Sequence, residues 1–367
     1  FMSNGIDDYG VSGIVQCEID IESGEKLTPS KTIWTGSGGR YLESPHMYKI
    51  NGKYYLVAAE GGTEYGHMVT YARADSLYGK FEGYENNPVL TNRNLGGYEV
   101  QGVGHGDLIQ DNYGNWWLLH LGFRQSGQWE AYHHLGREVF LTPVIFGEDG
   151  WFTAGDNGRT TKNFEINYIN NDVIQKEKKH YTFENTKWDN DWCYLRIPNK
   201  KNYKLDKNKL ILKGTDITLD DVDSPTFIGI RQRDFNATIS CNVEITDGEA
   251  GITLYMDENH HYDLAIRKCE NGYEAIERLN IGDIKSVEKS IYLENKNNIS
   301  LIINASNSYY SFSIKSENEE SILGYAKTRY LSSEVAGGFT GVVIGLYACA
   351  SNSFNYAEFT NFKCMYK

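Results

Sequence analysis

The chain has 367 residues, of which 40% are apolar and 23% are charged, which is ordinary for a globular protein of two domains. Its net charge of −13 and the lack of a basic stripe exclude nucleic acid and anionic membranes as expected partners, and no apolar run is long enough to span a bilayer. The six cysteines are scattered without CxxC or zinc-like spacing, which predicts free thiols in a reducing compartment.

Residues 1–160 repeat a pattern of strand, turn and aromatic strand. The run 47–56 has this pattern around an Asn-Gly turn, and the run 108–118 repeats it around a second Asn/Gly turn. A weaker third trace closes at 147–151. A four-stranded unit that recurs after about sixty residues is typical of a β-propeller blade.

The first residues align with the interior of this repeat, because 1–3 match 56–58. The sequence therefore predicts that the chain begins inside a blade. Half a blade and two further blades would leave exposed strand edges. We accordingly expect the rest of the propeller to come from a preceding N-terminal segment or from a companion chain.

After residue 160 the pattern loosens into a polar linker, predicted at 161–178. Beyond it, short alternating strands separated by Asn/Asp/Gly turns predict an antiparallel β-sandwich over 179–367. The predicted strands are Lys209–Leu212, Thr226–Arg231, Ala237–Ile245, Gly251–Met256, Tyr262–Arg267, Ile299–Ile303, Tyr309–Ile314 and Thr340–Tyr347. The whole chain is therefore predicted to be all-β.

Glu43 opens the stretch around which these elements are arranged. Pro45 fixes its own φ and biases Ser44 toward extended geometry, which would aim the carboxylate rigidly. An isolated glutamate at the start of a strand is usually a surface residue, so the surrounding motifs decide its interpretation. The matching runs are 43–48, 51–56, 59–67, 87–91, 104–108 and 135–141, followed by 224–229, 249–251, 259–262 and 338–341. In order and spacing they resemble the family 43 glycoside hydrolases, the β-xylosidases and α-L-arabinofuranosidases that carry a C-terminal sandwich.

This resemblance implies a five-bladed β-propeller, of which the chain holds a part, followed by a concanavalin-like antiparallel β-sandwich. It also implies an inverting mechanism, in which an acid protonates the leaving oxygen and a carboxylate roughly 6.5–9.5 Å away activates water. A third carboxylate in the family orients the acid and raises its pKa. Glu43 matches the acid. The motifs of the other two carboxylates do not occur in this sequence, and neither Asp7 nor Asp8 is assigned to them.

Four further residues match binding positions of the family, and each has a structural alternative. Arg137 matches the arginine that reaches the sugar, whereas a salt bridge with Glu138 or another acid is the alternative. His105 matches a histidine near the propeller axis that lies beside the active site or helps to bind a divalent cation, with Ca²⁺ as the expected ion, whereas a core histidine is the alternative. Thr63 matches the pocket wall and Phe339 matches a sandwich residue that closes the pocket, with a plain turn and core packing as the alternatives.

The sequence also departs from the family pattern. Ser44 stands where the family commonly has glycine, Gly106 replaces a usual alanine, and Ile230 replaces a usual arginine. His46 and His67 are interpreted as supporting or core residues.

The function that the resemblance implies is exo-acting hydrolysis, with inversion, that releases xylose or arabinose from the non-reducing ends of oligosaccharides. Relatives of this kind are often cytoplasmic homo-oligomers that act on imported oligosaccharides. The two pentoses are not separated by the sequence. A catalytically incomplete carbohydrate-binding remnant is the alternative, because the base motif is absent. An arabinan-cleaving member with an open groove is disfavoured, because such enzymes usually lack the sandwich.

Overall fold

The structure is a computed structural model, and it describes residues 1–127, 129, 131–166, 178–184, 188, 190–294, 299–316, 319–351 and 355–367. Antiparallel strands form nearly all of the regular structure in these ranges, which confirms the all-β prediction. The helices there are one short α-helix, α1 (Ser333–Ala336), and two 3₁₀ turns, Lys200–Asn202 and Thr328–Leu331. Among the described helices, none has the length and apolar character needed to cross a membrane.

Contacts between residues divide the chain into two units. The first comprises Phe1–Ala131 and Arg137–Ile169, and the second comprises Tyr132–Gly136 and Asn170–Lys367. Residues 167–177, most of the predicted linker, lie outside the described residues. The assignment of Tyr132–Gly136 to the second unit was not predicted from the sequence.

The described strands of the first unit form three antiparallel sheets, and within each sheet the strands follow one another in chain order. The first sheet contains β1 (Met2–Ile6), β2 (Ser12–Gln16) and β3 (Lys31–Trp34). The second contains β4 (Glu43–Ile50), β5 (Lys53–Glu60), β6 (Met68–Ala74) and β7 (Glu82–Gly83). The third contains β8 (Val100–Gln110), β9 (Trp116–Arg124), β10 (Glu138–Phe146) and β11 (Phe152–Ala154). The β4–β5 and β8–β9 hairpins are the two predicted repeats, and such meanders are typical of propeller blades.

Tyr71 on β6 joins the second sheet to the third. Its ring stacks on Phe152 of β11 with centroids 3.9 Å apart, and both side chains are fully buried. A buried hydroxyl requires partners, and the Tyr71 hydroxyl donates to the Phe152 carbonyl at 2.9 Å while it accepts from the Phe152 amide at 2.8 Å. This contact fixes the two blades that carry the candidate site.

The second unit contains two antiparallel sheets in its described residues, one of eight strands and one of six. The larger sheet contains β12 (Lys178–Tyr181), β13 (Tyr203–Asp206), β14 (Lys209–Lys213), β16 (Ala237–Ile245), β21 (Ile299–Ala305), β22 (Tyr309–Ser316), β23 (Glu319–Lys327) and β25 (Tyr356–Tyr366). The smaller contains β15 (Phe227–Arg231), β17 (Glu249–Asp257), β18 (His260–Cys269), β19 (Gly272–Ile281), β20 (Ile284–Leu293) and β24 (Val343–Cys349). Every second residue of β16 and β21 is buried, as a sandwich with one solvated face requires.

All eight strands predicted in this unit are present, Ala237–Ile245 with the predicted bounds and the other seven with shifted ends. Six further strands of this unit were not predicted from the sequence, namely β12, β13, β19, β20, β23 and β25. Strand β20 illustrates why, because most of its residues are exposed and it has little apolar alternation to detect.

A buried ionic cluster lies on the smaller sheet around His261, which is 1% exposed. Its Nδ1 lies 2.9 Å from Asp263 Oδ1 and its Nε2 lies 2.9 Å from Asp220 Oδ1. Burial alone lowers the pKa of His261, but the Asp263 and Asp220 carboxylates outweigh burial and raise this pKa to about 9. Both ring nitrogens therefore donate, and His261 is a cation in the folded protein. Lys285 pairs with Asp220 and Arg278 with Asp263, which completes the cluster.

The raised pKa makes the stability of the second unit depend on pH. The stabilisation from His261 is fully present below its ordinary pKa of 6.5 and is lost as the pH rises toward 9. We expect the urea midpoint to fall across this window in the wild type, and the His261→Gln variant to show a lower midpoint that changes less over the same range. His260→Gln, at the neighbouring position, is the control. If the urea midpoint changed equally with pH in the wild type and in His261→Gln, the raised pKa of His261 would be contradicted.

Candidate active site

A β-bulge aims Glu43. Glu43 pairs with Ala59 and His46 pairs with Val57, so two residues of β4 stand opposite one of β5. Ser44 in this bulge has a φ of 55°. The expectation that Pro45 holds Ser44 extended is therefore wrong, because the bulge places Ser44 in the left-handed region that glycine adopts most readily. This explains why a glycine suits the position in the family pattern.

Asp107 on β8 fixes β4 immediately beyond the bulge. Its Oδ1 lies 2.8 Å from His46 Nδ1 and accepts a hydrogen bond from the Tyr48 hydroxyl at 3.0 Å. The Leu108 amide donates to the same Tyr48 hydroxyl at 3.0 Å. Glu43 thus stands on a strand that side-chain hydrogen bonds hold against β8. His46 has the supporting role that the sequence indicated.

His105 lies in an irregular part of β8. The pairing of β8 with β9 shifts register on both sides of Gly104, and His105 has a φ of 55°. Left-handed backbone at a non-glycine residue is uncommon and is often found at functional sites. A Cβ on Gly104 would lie 2.4 Å from His67 Cγ, so this glycine allows the His67 ring to lie against the β8 backbone.

His67, which the sequence predicted to be a supporting or core residue, lies in the candidate site. It is fully buried, and its Nδ1 lies 3.1 Å from the Gly102 carbonyl oxygen, so Nδ1 carries the proton and donates. Burial, with smaller electrostatic contributions from His105 and Arg137, lowers the pKa of His67 to about 4. The ring is therefore neutral, and its buried Nε2 has no hydrogen-bond partner among the described residues.

The fold brings Glu43, His67 and His105 together. One donor atom from each lies within 4.8 Å of the other two, and neither Glu43 nor His105 is buried. The sequence placed Glu43 and His105 in one site, and this geometry agrees with that placement. The Nε2 lone pair of His67 is available to accept a hydrogen bond from a hydroxyl or a protonated carboxyl at this cluster.

Glu43, His67 and His105 also form a group of potential metal ligands. Ca²⁺ takes six to eight oxygen ligands, whereas this group offers one carboxylate oxygen and two imidazole nitrogens. The set fits Ca²⁺ poorly and resembles the ligands of transition metals. A calcium ion held through His105 would need oxygen atoms from elsewhere, and it stays a prediction.

Thr63 and Arg137 meet at the turn between β5 and β6. Gly61 has a φ of 91°, and a Cβ there would lie 1.8 Å from the Gly66 carbonyl oxygen, so the turn requires glycine. Arg137 Nη2 donates to the Thr63 carbonyl oxygen. The structure therefore brings these two predicted residues together, through the backbone of Thr63.

Glu138, one alternative partner of Arg137, forms a salt bridge with Arg124. Both carboxylate oxygens of Glu138 bind Arg124, at 2.8 Å to Nε and 2.9 Å to Nη2. Burial lowers the pKa of Arg137, and the charge of its guanidinium contributes to the lowered pKa of His67.

Two early acids and one aromatic residue complete the comparison with the sequence. Asp7 accepts hydrogen bonds from the Tyr9, Val11 and Thr32 amides, and these bonds lower its pKa to about 2. Asp8 binds Lys26 and the Ser30 amide. Both carboxylates therefore stabilise loops through these hydrogen bonds. Phe339 lies between α1 and β24 in the second unit and is 65% exposed, and its role at the pocket stays a prediction.

Both units of the chain match a known class of glycosidase. Residues 1–152 match the family described as "Glycosyl hydrolases family 43", and residues 180–365 match the "Beta xylosidase C-terminal Concanavalin A-like domain". The chain belongs to glycoside hydrolase family 43, which confirms the resemblance seen in the sequence.

Its relatives define the type more closely. A non-reducing end α-L-arabinofuranosidase of Bacteroides ovatus is 36% identical over 95% of this chain and 67% of its own length. A xylosidase/arabinosidase of Butyrivibrio fibrisolvens is 32% identical over 94% of this chain and 69% of its own length. The chain thus spans about two thirds of each relative.

Solved structures agree with the sequence comparisons. The Bacteroides ovatus protein of a xyloglucan utilisation locus superposes with a TM-score of 0.90 at 35% identity, over 97% of this chain and 72% of that chain. A xylan β-1,4-xylosidase of Bacillus halodurans superposes with a TM-score of 0.91 at 26% identity, over 99% of this chain and 73% of that chain.

The close packing of Gly104 on His67 gives a test of the cluster. Because an added Cβ would displace the buried ring, we expect Gly104→Ala to lower kcat/KM for an aryl pentoside by about tenfold or more. Gly106→Ala is the matched control, since a Cβ there would lie 3.1 Å from Val69 Cγ2 and requires only a small adjustment. Equal activity of the two variants would show that the position of His67 has no influence.

The bulge gives a second test. A β-branched residue tolerates left-handed backbone poorly, so we expect Ser44→Val to destabilise the protein by roughly 1–2 kcal/mol and to reduce activity by turning Glu43 away. Ser44→Gly should retain activity. Thermal unfolding and initial rates for both variants check this, and a fully active Ser44→Val would refute the role given to the bulge.

Proposed function

We propose that this chain supplies the general acid Glu43 of an inverting exo-glycosidase that releases xylose or arabinose from the non-reducing ends of oligosaccharides. Membership of family 43 and relatives named as arabinofuranosidase and xylosidase support the proposal. The observation that carries it is the cluster in which donor atoms of Glu43, His67 and His105 lie within 4.8 Å of one another.

The acid has to hold a proton near neutral pH and deliver it to the leaving oxygen. An imidazolium beside Glu43 would favour the carboxylate, so Glu43 would not hold the proton that a general acid has to deliver. The lowered pKa of His67, about 4, keeps this neighbour neutral, and its Nε2 lone pair can accept the acid's proton in a hydrogen bond or orient a sugar hydroxyl. The burial of His67 is therefore part of the acid's chemistry.

The sugar would be held chiefly by the guanidinium of Arg137. A planar guanidinium can fork onto two neighbouring hydroxyls, and its contact with the Thr63 carbonyl fixes its orientation. Both pentoses present such hydroxyl pairs, so xylose and arabinose remain open. The motif of the carboxylate that activates water does not occur in this sequence. Asp7 and Asp8 accept hydrogen bonds from loop amides and are not proposed for this role. Action as a cytoplasmic homo-oligomer is part of the proposal, and the six free cysteines of the described residues support the cytoplasmic part.

The decisive experiment varies the leaving group. A general acid matters most when the departing alkoxide is a strong base, so we expect Glu43→Gln to lower kcat/KM on xylobiose by about 10²–10⁴-fold and on 4-nitrophenyl β-D-xyloside by much less. Rates on the corresponding arabinofuranosides decide between the sugars. Proton NMR of the first product should show the α-anomer of xylose, as inversion requires.

Glu82→Gln, in the exposed strand β7, is the matched control and should leave both rates unchanged. Equal losses by Glu43→Gln on both leaving groups would argue against an acid role. A wild-type chain that binds xylose without hydrolysing either substrate would favour the carbohydrate-binding alternative.

A further inference from the structure

Glu60, the last residue of β5, has a carboxylate that is buried inside the first unit. The residue is 0% exposed, and no cation among the described residues forms an ion pair with it. Burying a carboxylate is costly unless hydrogen bonds compensate for the lost water. Glu60 also follows Ala59, the residue that pairs with Glu43, so this buried carboxylate belongs to the strand beside the candidate acid.

Three hydrogen bonds converge on the carboxylate. The Ser37 amide donates to Oε1 at 2.8 Å, and the Gly39 amide donates to Oε2 at 2.6 Å. The Thr70 hydroxyl, on β6, donates to Oε1 at 2.8 Å. Both carboxylate oxygens are therefore satisfied by neutral donors. Two of the three donors are backbone amides of the segment 35–42, which joins β3 to β4 and ends where β4 begins.

Glycines allow this segment to wrap around the carboxylate. Gly36 has a φ of 83°, and a Cβ there would lie 3.1 Å from Glu60 Oε1. A Cβ on Gly39 would lie 2.6 Å from Glu60 Oε2 and 2.3 Å from Met68 Cε. Backbone amides in turns of this kind form a concavity that binds anions. Here the anion is a side chain of the neighbouring strand, so the segment is shaped around Glu60.

The segment remains attached to the end of β5 up to the acid. The Gly61 amide donates to the Arg40 carbonyl at 2.7 Å, and Arg40 Nε donates to the Gly61 carbonyl at 3.1 Å. Three residues later, Glu43 pairs with Ala59. Residues 59–61 therefore hold the chain from the start of the amide contacts to the acid itself.

Glu43 lies between two residues with left-handed backbone. Tyr41 has a φ of 54° and Ser44 has a φ of 55°. Residues other than glycine keep such backbone only where the surrounding structure imposes it. Beyond Glu43, the Asp107 carboxylate holds the strand. Before Glu43, the carboxylate that holds the chain is that of Glu60.

We propose that Glu60 is a positioning residue, which fixes the backbone before Glu43 and thereby aims the acid at the leaving oxygen. This inference rests on the proposed function and adds a residue to it. Glu60 is buried and acts through the Ser37 and Gly39 amides rather than on the substrate. A displacement of about 1 Å in a catalytic group can cost about a hundredfold in rate, so the backbone before the acid matters for activity.

Glu60→Gln tests the proposal, because it replaces one accepting oxygen by an NH₂ group that faces donors. We expect kcat/KM on xylobiose to fall by roughly ten- to hundredfold, and the loss on 4-nitrophenyl β-D-xyloside to be smaller by about threefold or more. The reason is that nitrophenolate leaves with little help from an acid, so a misaimed acid affects xylobiose more. Equal losses on the two substrates would overturn the proposal.

The Glu43→Gln background tests whether Glu60 acts through the acid. Once the acid has been replaced, Glu60→Gln should cost less than about twofold on xylobiose, because the effects of residues that act together are not additive. A residue that only supports stability would cost the same in both backgrounds, and that result would contradict the proposed role of Glu60.

Milder variants keep the test valid if Glu60→Gln folds poorly. Thr70→Val removes one hydrogen bond from the carboxylate and should give a smaller loss, again larger on xylobiose, whereas Thr70→Ser keeps the hydroxyl and should retain the wild-type ratio of the two rates. Ile14→Val, in the buried core of the first unit, should lower the melting temperature and leave this ratio unchanged. A ratio that simply follows the melting temperature would refute the proposal.

Failure of this inference is distinguishable from failure of the proposed function. If the wild type is active and Glu43→Gln shows its expected loss on xylobiose, a wild-type ratio in Glu60→Gln upholds the function and refutes the inference. If the wild type hydrolyses no pentoside, the proposed function fails, and amide hydrogen exchange then decides. Glu60→Gln should speed exchange in peptides covering 37–47 relative to Ile14→Val, and unchanged exchange would rule out the role of Glu60.

Discussion

The candidate active site depends on a histidine that has to be buried and neutral. The Gly102 carbonyl takes the Nδ1 proton of His67, burial holds its pKa near 4, and its Nε2 faces no partner among the described residues. This arrangement is possible because Gly104 lets the ring pack directly on backbone. A charged imidazole at this position would favour the carboxylate form of Glu43 and remove the proton that the proposed acid delivers. The packing that keeps His67 neutral therefore also supports the proposed role of Glu43.

Two backbone irregularities position the side chains around His67. The bulge at Ser44 and the double register shift around Gly104 interrupt otherwise regular hairpins, and both place a left-handed residue next to a functional side chain. Bulges re-aim side chains at the rims of β-structures, and here they direct Glu43 and His105 toward one another. The network of Asp107, His46 and Tyr48 then holds the two strands together. Local strain is thus balanced by hydrogen bonds a few residues away.

Much of the fold could be predicted from the sequence, and the reasons are local. The hairpins at 47–56 and 108–118 have aromatic strands flanking Asn/Gly turns, and strands such as Ala237–Ile245 show a clean period of two. Exposed strands such as Ile284–Leu293 were missed because their neighbours, rather than their own pattern, make them strands. The extended geometry expected at Ser44 was wrong because the pairing with β5 overrode the local preference set by Pro45.

The sequence by itself determined the family and the all-β class and predicted Glu43 as the acid, because ordered motifs and alternating patterns are properties of neighbouring residues. Only the tertiary structure decided that His67 joins Glu43 and His105, that Glu138 binds Arg124, and that Tyr132–Gly136 belongs to the second unit. Each of these is a contact between residues distant in the chain. Such contacts follow from how blades and sheets pack, and no local pattern of side chains encodes them.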